Sequence, residues 1–398
     1  MSIEVQKKFT QKFGYPPTSL VQAPGRVELL GNHTDYHQGL VLSLAVDKFI
    51  FIASSRRDDE KIRLVSTAFP EGEIFSHSDF KKNPAAPWAD YSKGVLDQLQ
   101  KRGVPIGGFD AAIDSIIPMG AGLSSSAALE VATALSARQL FSYTTSKTGL
   151  AIPLKRNAKG ELPKLTPAEK LDLAKICQAA ENQFVGVNCG LLDQISSLFG
   201  RASHAIEIDC RDFSIKHVPM RGDIAVVICH SGVKHSLVGG EYNQLRRQSE
   251  SAAKKLGGKF LRSVSAKMLS ENKSKLTRRE YQCAYHIVGE NRRVMLGAQA
   301  LRNKNFAQLG QYMWQSHESS RDYFHNSTDE LDLLVELARQ HPATLGARLT
   351  GGGFGGATIN LIQRHAIQNF SEYISARYEK ISGYKMKPLL CQVVDGAR

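Results

Sequence analysis

The stretch PMGAGLSSSAALE, residues 118–130, places glycines and three consecutive serines directly before a helical pattern. Glycines let backbone N–H groups approach a ligand closely, and a helix N-terminus adds unpaired donors and a partial positive charge. Gly120, Gly122, Ser124 and Ser125 could therefore cradle phosphate oxygens. The lysine of a Walker A loop is missing, so a Gly/Ser turn that only caps a helix explains the stretch equally well.

Three further stretches collect residue types that bind sugars or assist phosphoryl transfer. Residues 23–39, APGRVELLGNHTDYHQG, hold Arg, Asn, His, Asp and Tyr in a segment predicted to be rich in turns. Residues 181–194, ENQFVGVNCGLLDQ, join Glu181 to Asp193 through a loop broken by glycines. Residues 347–357, ARLTGGGFGGA, form a second glycine-rich loop. From the residues alone, Asp193 could equally be a helix-capping residue.

In order and spacing, these stretches resemble the galactokinase family of GHMP-type small-molecule kinases. PGRVELLGNHTDY matches the sugar signature of that family, PMGAGLSSSAALEVATA its ATP loop, and ARLTGGGFGGATI its third motif. Segments 236–250, 286–294 and 313–338 match as well, so the resemblance covers nearly the whole chain. It implies a two-domain α+β fold with the active site between the domains. It also implies transfer of phosphate from ATP, with Mg²⁺, to the C1 hydroxyl of D-galactose.

The resemblance also implies roles for individual residues. Asp193 would be the general base beside the sugar C1 hydroxyl. Arg26 would favour its charged form and stabilise the transferring phosphoryl group. The implied sugar contacts are Asn32, His33, Asp35, Gly190 and Tyr242. The implied ATP contacts are Gly120, Gly122, Ser124, Ser125, Trp88 and Tyr91, and the implied Mg²⁺ ligands are Ser126 and Glu181.

Two departures from the family pattern leave the sugar open. Asn32 stands where the family usually has Glu, and Asn188 stands where it usually has Pro. A kinase for another sugar, such as L-arabinose or an N-acetylated hexosamine, is therefore the second hypothesis. A non-catalytic sugar sensor on the same fold is the third. The complete serine run, together with Arg26 and Asp193, favours an enzyme over a sensor.

Composition narrows the possible partners and the compartment. The chain has 398 residues and a formal net charge of +13, but no motif of a nucleic-acid-binding module, so we expect no nucleic-acid partner. Its six cysteines form no C-x-x-C pair, which predicts reduced thiols and no zinc site. No apolar run reaches about 18 residues, and residues 1–15 lack the apolar part of a signal peptide. We expect a cytoplasmic monomer with no membrane partner.

Hydrophobic periodicity predicts the elements that must position these residues. Strands are predicted at 41–55, 61–66, 109–117, 204–210, 224–232 and 357–362. Helices are predicted at 91–103, at 128–141 and from a capping box at Thr166 through 184, with an exposed insertion at 143–165. We expect mixed sheets with helices on one side of each. The predicted domains are 1–205, with the sugar signature and ATP loop, and 206–398, with the third motif.

Overall fold

A computed structural model describes residues 3–118, 120, 122–146, 149–233 and 240–398. Met119 and Ala121 of the predicted phosphate loop, and residues 236–239 of one family segment, lie outside the described residues. The α-helices are α1 (Ile3–Phe13), α2 (Ala89–Lys101), α3 (Ser125–Phe141), α4 (Pro167–Ala179), α5 (Leu192–Phe199), α6 (Gly240–Lys255), α7 (Ala266–Glu271), α8 (Arg278–Arg302), α9 (Phe306–Ser319), α10 (Asp329–Gln340) and α11 (Ile367–Ser382).

The strands build two principal sheets and one small hairpin. They are β1 (Ser19–Leu30), β2 (Leu40–Arg56), β3 (Lys61–Ser66), β4 (Glu73–Ser76), β5 (Phe109–Ser115), β6 (Tyr143–Thr145), β7 (Ala151–Pro153), β8 (His204–Asp209), β9 (Ser214–Pro219), β10 (Ile224–His230), β11 (Thr344–Thr350), β12 (Ala357–Gln363) and β13 (Leu389–Cys391).

The seven-stranded sheet is organised around the long strand β2. Strand order is β4-β3-β5-β2-β8-β9, and β1 pairs with β2 along nearly its full length. All pairs are antiparallel except β3 with β5, so this sheet is mixed, as predicted. Register breaks between Pro24 and Gly25, where β1 meets the loop before α3. A Cβ on Gly25 would lie 2.6 Å from the Leu123 carbonyl oxygen, so only glycine permits this approach.

The second sheet has the order β11-β12-β10-β13 and is antiparallel throughout, which corrects the prediction of a mixed sheet. One of its faces packs on α10 and α11 around Val227 and Phe370. The other face, with Val226 and Ile359, joins the main hydrophobic core beneath the first sheet. The two sheets therefore share one core of closely packed, buried strands.

The predicted strands and helices are present, with boundaries shifted by a few residues. The capping box at the start of α4 forms between Thr166 and Glu169. Helix α4 ends at Ala179, however, and the chain continues as a π-helical segment, Ala180–Val185. The predicted insertion at 143–165 contains the β6–β7 hairpin, and its other described residues, 146, 149–150 and 154–165, form no helix or strand.

Two expectations about the architecture are wrong, and the predicted domain boundary can be placed on the sheets. Residues 19–30 form strand β1 instead of turns, because Pro24 and Gly25 sit at a bulge within a continuous buried strand. Helices cover both faces of the first sheet: α1 packs on Phe51, whereas α3 lies against the opposite face, which carries Ile52. The boundary at 205/206 falls inside β8, and both β8 and β9 belong to the first sheet. A division by sheets would come after Pro219.

Two further observations concern the cysteines and the lengths of the helices. All six cysteines lie in the described part of the chain, and all are free thiols, as predicted. Among the described residues, no helix is long and apolar enough to cross a membrane.

Candidate active site

Asp193 and Arg26 meet although 167 residues separate them in sequence. The bulge places Arg26 on β1 beside the loop before α3, and Asp193 lies in the first turn of α5. Arg26 Nε donates to Asp193 Oδ1 at 2.7 Å and Nη2 donates to Oδ2 at 2.8 Å. Arg26 Nη1 donates to the carbonyl of Gly122 at 2.8 Å. One nearly buried guanidinium therefore fixes both the predicted base and the predicted phosphate loop.

Ser124 completes this cluster in a way that capping preferences do not predict. It is the N-cap residue of α3, but its backbone is left-handed (φ 53°) and its side chain makes no capping bond. Instead, Ser124 Oγ donates to Asp193 Oδ2 at 2.5 Å. Asp193 thus accepts two N–H bonds and one O–H bond, and its side chain stays 25% exposed.

A cavity of about 540 Å³ opens beside Asp193. The predicted residues that line it are Arg26, Asn32, His33, Asp35, Glu181, Gly190, Asp193 and Tyr242. The structure therefore brings together both predicted catalytic residues, all predicted sugar contacts and one predicted metal ligand. Gly120, Gly122, Ser124, Ser125, Ser126, Trp88 and Tyr91 do not line this cavity.

Asp35 and Gly190 form one wall of the cavity at very close range. A Cβ on Gly190 would lie 1.8 Å from Asp35 Oδ2, so no other residue fits there without displacing that carboxylate. Burial raises the pKa of Asp35 to about 6, and the negative charge of Asp193 acts in the same direction. Of the carboxylates that line the cavity, Asp193 has a guanidinium as its hydrogen-bond partner, whereas Asp35 accepts the backbone N–H of Tyr36.

His33 is held by both of its ring nitrogens. Its backbone is left-handed (φ 60°), and burial lowers the pKa of the imidazole to about 4, so the ring is neutral at pH 7. Nε2 lies 3.0 Å from the carbonyl of Gly352, which can only accept, so Nε2 carries the proton. Nδ1 then accepts from Tyr36 Oη at 2.9 Å. The Tyr242 ring packs against His33 with centroids 4.9 Å apart.

The predicted ATP contacts lie around the start of α3 and of α2. Gly120 and Gly122 both have positive φ, 73° and 66°, which favours glycine. The Gly120 carbonyl accepts from His230 Nε2 at 2.7 Å, a contact that no motif predicted. Trp88 stacks on Phe69 with ring centroids 5.6 Å apart and an interplanar angle of 2°.

Glu181 and Ser126 are adjacent, as a shared metal site requires. Burial raises the pKa of Glu181 to about 7, and the negative charge of Asp193 adds to this. Hydrogen bonds from Cys189, Gln194 and Ser126 oppose the shift without cancelling it. Tyr91 lies nearby, and burial followed by the charge of Glu181 raises the pKa of its hydroxyl to about 12.

The donor set suits a hard cation of low protein coordination. Glu181 offers a nearly buried carboxylate and Ser126 a hydroxyl, and both are oxygen ligands of the kind that Mg²⁺ takes. No group of three or more His, Cys, Asp or Glu residues suited to a metal occurs among the residues described. Mg²⁺ commonly uses one or two protein ligands and completes its shell with waters and phosphate oxygens, so this pair fits it.

Comparison with known proteins places this geometry in a family. The galactokinase galactose-binding signature matches residues 7–56, the GHMP kinase N-terminal domain 90–201 and the GHMP kinase C-terminal domain 298–380. A galactokinase from Chloroflexus aggregans is 39% identical over 96% of this chain and 94% of its own length. One from Roseiflexus sp. is 37% identical over 99% of this chain and 96% of its own.

A solved structure agrees with the sequence relatives. The crystal structure of Lactococcus lactis galactokinase complexed with galactose matches with a TM-score of 0.89 and 29% identity. The match covers 99% of this chain and 98% of the other. This chain belongs to the galactokinase family. The fold and the kinase class expected from the sequence are confirmed.

Within the galactokinase family, Asn32 is a position where this chain departs from the usual Glu, and the structure shows what the amide does. Asn32 Nδ2 donates to the carbonyl of Gly351 at 2.7 Å. Asn32 Oδ1 accepts from Asn326 Nδ2 at 2.9 Å. The side chain thus ties the sugar signature to the third motif, and both of its polar groups already have protein partners.

Sequence reasoning missed two buried residues that support this galactokinase signature. Glu290 Oε2 accepts the backbone N–H groups of Gly31 and Asn32, each at 2.9 Å. Burial alone would raise the pKa of Glu290, but the Arg293 cation and further positive neighbours lower it below its usual value. Asn326, fully buried, bonds both Asn32 and the Gly352 carbonyl. Each of the two lies in a segment that matched the family, but neither belongs to a short motif.

Proposed function

We propose that this chain transfers the γ-phosphoryl group of ATP to the C1 hydroxyl of D-galactose, giving α-D-galactose 1-phosphate and ADP. The observation that carries the proposal is the Asp193 carboxylate, held by Arg26 and Ser124 at the edge of the cavity beneath the sugar signature. The galactokinase relatives, and a neighbour structure complexed with galactose, support this choice of sugar.

The hydrogen bonds leave one position on Asp193 for the substrate proton. A carboxylate offers about four lone-pair sites. Oδ2 accepts from Arg26 and Ser124, whereas Oδ1 accepts from Arg26 alone. Oδ1 can therefore accept the C1 hydroxyl. As that oxygen bonds to the γ-phosphorus, its proton passes to Asp193 and the bond to the β,γ-bridging oxygen breaks, which releases ADP.

The sugar contacts divide into groups that face the cavity and groups that hold them. Asp35, Gly190 and Tyr242 line the cavity, and we assign them to direct contact with sugar hydroxyls. His33 and Asn32 also line it, but their polar atoms bond within the protein. We assign these two chiefly to fixing the turn and the third motif around the sugar. A rigid set of buried donors and acceptors discriminates strongly between sugar epimers.

For ATP, we propose that Gly120, Gly122, Ser124 and Ser125 face the phosphates and that Trp88 and Tyr91 flank the adenine. Ser126 and Glu181 would hold Mg²⁺, which when bound neutralises charge on the transferring phosphate. We also propose that the chain acts as a monomer in the cytoplasm. Its six free thiols suit a reducing compartment.

The test is ATP-dependent phosphorylation across galactose, glucose, talose, L-arabinose and N-acetylgalactosamine. We expect turnover on galactose, and a fall of about 10²–10⁴-fold in kcat for Asp193→Asn, because the amide accepts no proton. Asp58→Asn, at an exposed position, is the matched control and should keep wild-type turnover.

Other outcomes separate the alternatives. Turnover confined to another sugar would refute galactose as the substrate. Asn32 and Asn188 would then be the first positions to examine for the altered sugar specificity. Binding of sugar and ATP with no turnover on any sugar would refute the kinase and favour a sensor. Full activity in Asp193→Asn would remove Asp193 as the base.

A further inference from the structure

The Gln194 side chain links two buried carboxylates, and the proposed reaction does not explain this link. Its Nε2 donates to Glu130 Oε2 at 3.0 Å and to Glu181 Oε2 at 2.9 Å. Gln194 and Glu130 are both completely buried, and Glu181 is 7% exposed. Burying a carboxylate is costly unless hydrogen-bond donors satisfy it. Because one amide group donates to both carboxylates, each carboxylate must stay in the position that this amide can reach.

The three residues come from the three elements that carry the proposed reaction. Glu130 lies one helical turn beyond Ser126 on α3, so their side chains share a face of that helix. Glu181 lies in the π-helical segment Ala180–Val185, a kind of backbone that often marks functional sites. Gln194 directly follows Asp193 at the start of α5. The Gln194 amide is thus a physical link between the proposed metal ligands and the proposed base.

Two acceptor atoms of this group are open. Glu130 Oε1 and Gln194 Oε1 are buried and have no hydrogen-bond partner within the described part of the chain. Buried polar atoms are normally paired with protein or ordered water. Waters that surround Mg²⁺ direct their hydrogens outward, so the two open acceptors suit a hydrated cation beside Glu181.

We propose that Gln194, anchored by Glu130, is a positioning residue that holds the Glu181 carboxylate in register with Asp193 and the metal–nucleotide complex. The inference rests on the proposed function, because it needs Glu181 as a metal ligand. Partners of this kind commonly change metal affinity or activity by about 10–100-fold when they are removed. Loss of the Gln194 amide would leave Glu181 its bonds from Cys189 and Ser126 but remove the bond that ties it to α5 and, through Gln194, to Glu130.

The experiment compares Gln194→Met with Gln98→Met. Gln98 is also buried, and its Nε2 donates to Gln183 Oε1 at 3.1 Å, so it tethers the same π-helical segment without touching Glu181. Mn²⁺ affinity is measured by electron paramagnetic resonance with a non-hydrolysable ATP analogue, and galactose affinity by calorimetry without metal. We expect Gln194→Met to weaken Mn²⁺ binding by about 10–100-fold, with galactose affinity and the Gln98→Met control unchanged.

Each result decides a different statement. Wild-type-like Mn²⁺ affinity in Gln194→Met would overturn the positioning role and leave the kinase proposal intact. Equal losses of Mn²⁺ and galactose affinity would also overturn it, because the role would then be structural. Failure of the wild-type protein to bind Mn²⁺ with the analogue would instead overturn the metal-dependent function on which the inference rests.

A second pair of variants serves if Gln194→Met does not fold. Glu130→Gln keeps an oxygen acceptor for Gln194 Nε2, whereas Glu130→Leu removes it. We expect Glu130→Leu to weaken Mn²⁺ binding and Glu130→Gln to retain it. Equal Mn²⁺ affinity in the two variants would overturn the inference, since the anchor would then be without effect.

Discussion

Asp193 and Glu181 are neighbouring carboxylates that the protein treats in opposite ways. Asp193 is partly exposed and receives the Arg26 guanidinium and the Ser124 hydroxyl. Glu181 is nearly buried, and the donors that it receives from the described residues are uncharged. Burial and the charge of Asp193 raise its pKa to about 7. The fold thus places the Arg26 guanidinium against Asp193, whereas the described donors to Glu181 are neutral.

The difference assigns the two groups to different partners. Because its cation is built in, Asp193 keeps its geometry before any ligand arrives, as a base in phosphoryl transfer must. Glu181 lies beside Glu130, and burial followed by the charge of Glu181 raises the pKa of Glu130 well above its usual value, so the ionised forms of this pair are poorly compensated. Such a site gains most from an incoming cation, which fits the proposed binding of Mg²⁺ with ATP.

Among the changes that test this contrast and leave both carboxylates in place, the largest effect should come from removing the guanidinium of Arg26. Arg26→Met takes two charge-assisted bonds from Asp193 and one bond from the Gly122 carbonyl. We expect kcat to fall by about 10²–10³-fold, the loss typical of removing one preorganised donor from a catalytic site. Steady-state kinetics on galactose measures it. Arg221→Met, at an exposed position, is the control and should keep the wild-type kcat. A similar fall in kcat in Arg221→Met would mean that the loss is not specific to Arg26.

A smaller effect should follow from the hydroxyl on the same carboxylate. Ser124→Ala removes one O–H bond to Asp193 Oδ2 and leaves both Arg26 bonds in place. A hydrogen bond to a charged group contributes about 1.5–3 kcal/mol, so kcat should fall by at least about tenfold. Ser142→Ala, also at a left-handed serine, is the control. A rise confined to the KM for ATP would show that Ser124 acts on the nucleotide and not on the base.

The short motifs predicted some features of the fold and of the candidate site, but not others. The short motifs were sufficient to predict the family and the fold class, and to propose that Arg26 and Asp193 act together. They could not predict that β1 is a strand, because its burial on both faces removes the alternation by which half-buried strands are recognised. Its Pro24 and Gly25, which suggested turns, form the bulge that directs Arg26 into the site.

The residues that support the site could not be predicted from the short motifs, because their contacts are distant in sequence. Gln194 and Glu290 act through bonds to residues far away in sequence, 64 positions in one case and more than 250 in the other. No local spacing records such contacts, and only the packed fold brings their atoms together. Ser124 was predicted as a phosphate contact, but no motif predicted that its hydroxyl donates to Asp193. Its left-handed backbone accompanies this orientation, and the side chain makes no bond to the helix end.

The smallest expected effect concerns stability, and it tests the uncompensated charge of Glu181. The folded protein holds the Glu181 proton up to about pH 7, whereas the unfolded chain loses it near its ordinary value of 4.5. The folded state therefore binds more protons between these values, and stability conferred by the neutral group is lost as pH rises toward 7. Glu181→Gln removes this loss, so its Tm should exceed that of the wild type by a few degrees at pH 8 and by less at pH 5. Differential scanning calorimetry at both pH values, with exposed Glu60→Gln as the control, measures the difference in Tm between variant and wild type.

A difference in Tm that is equal at the two pH values, or reversed, would show that Glu181 already has a compensating partner and would remove the contrast with Asp193.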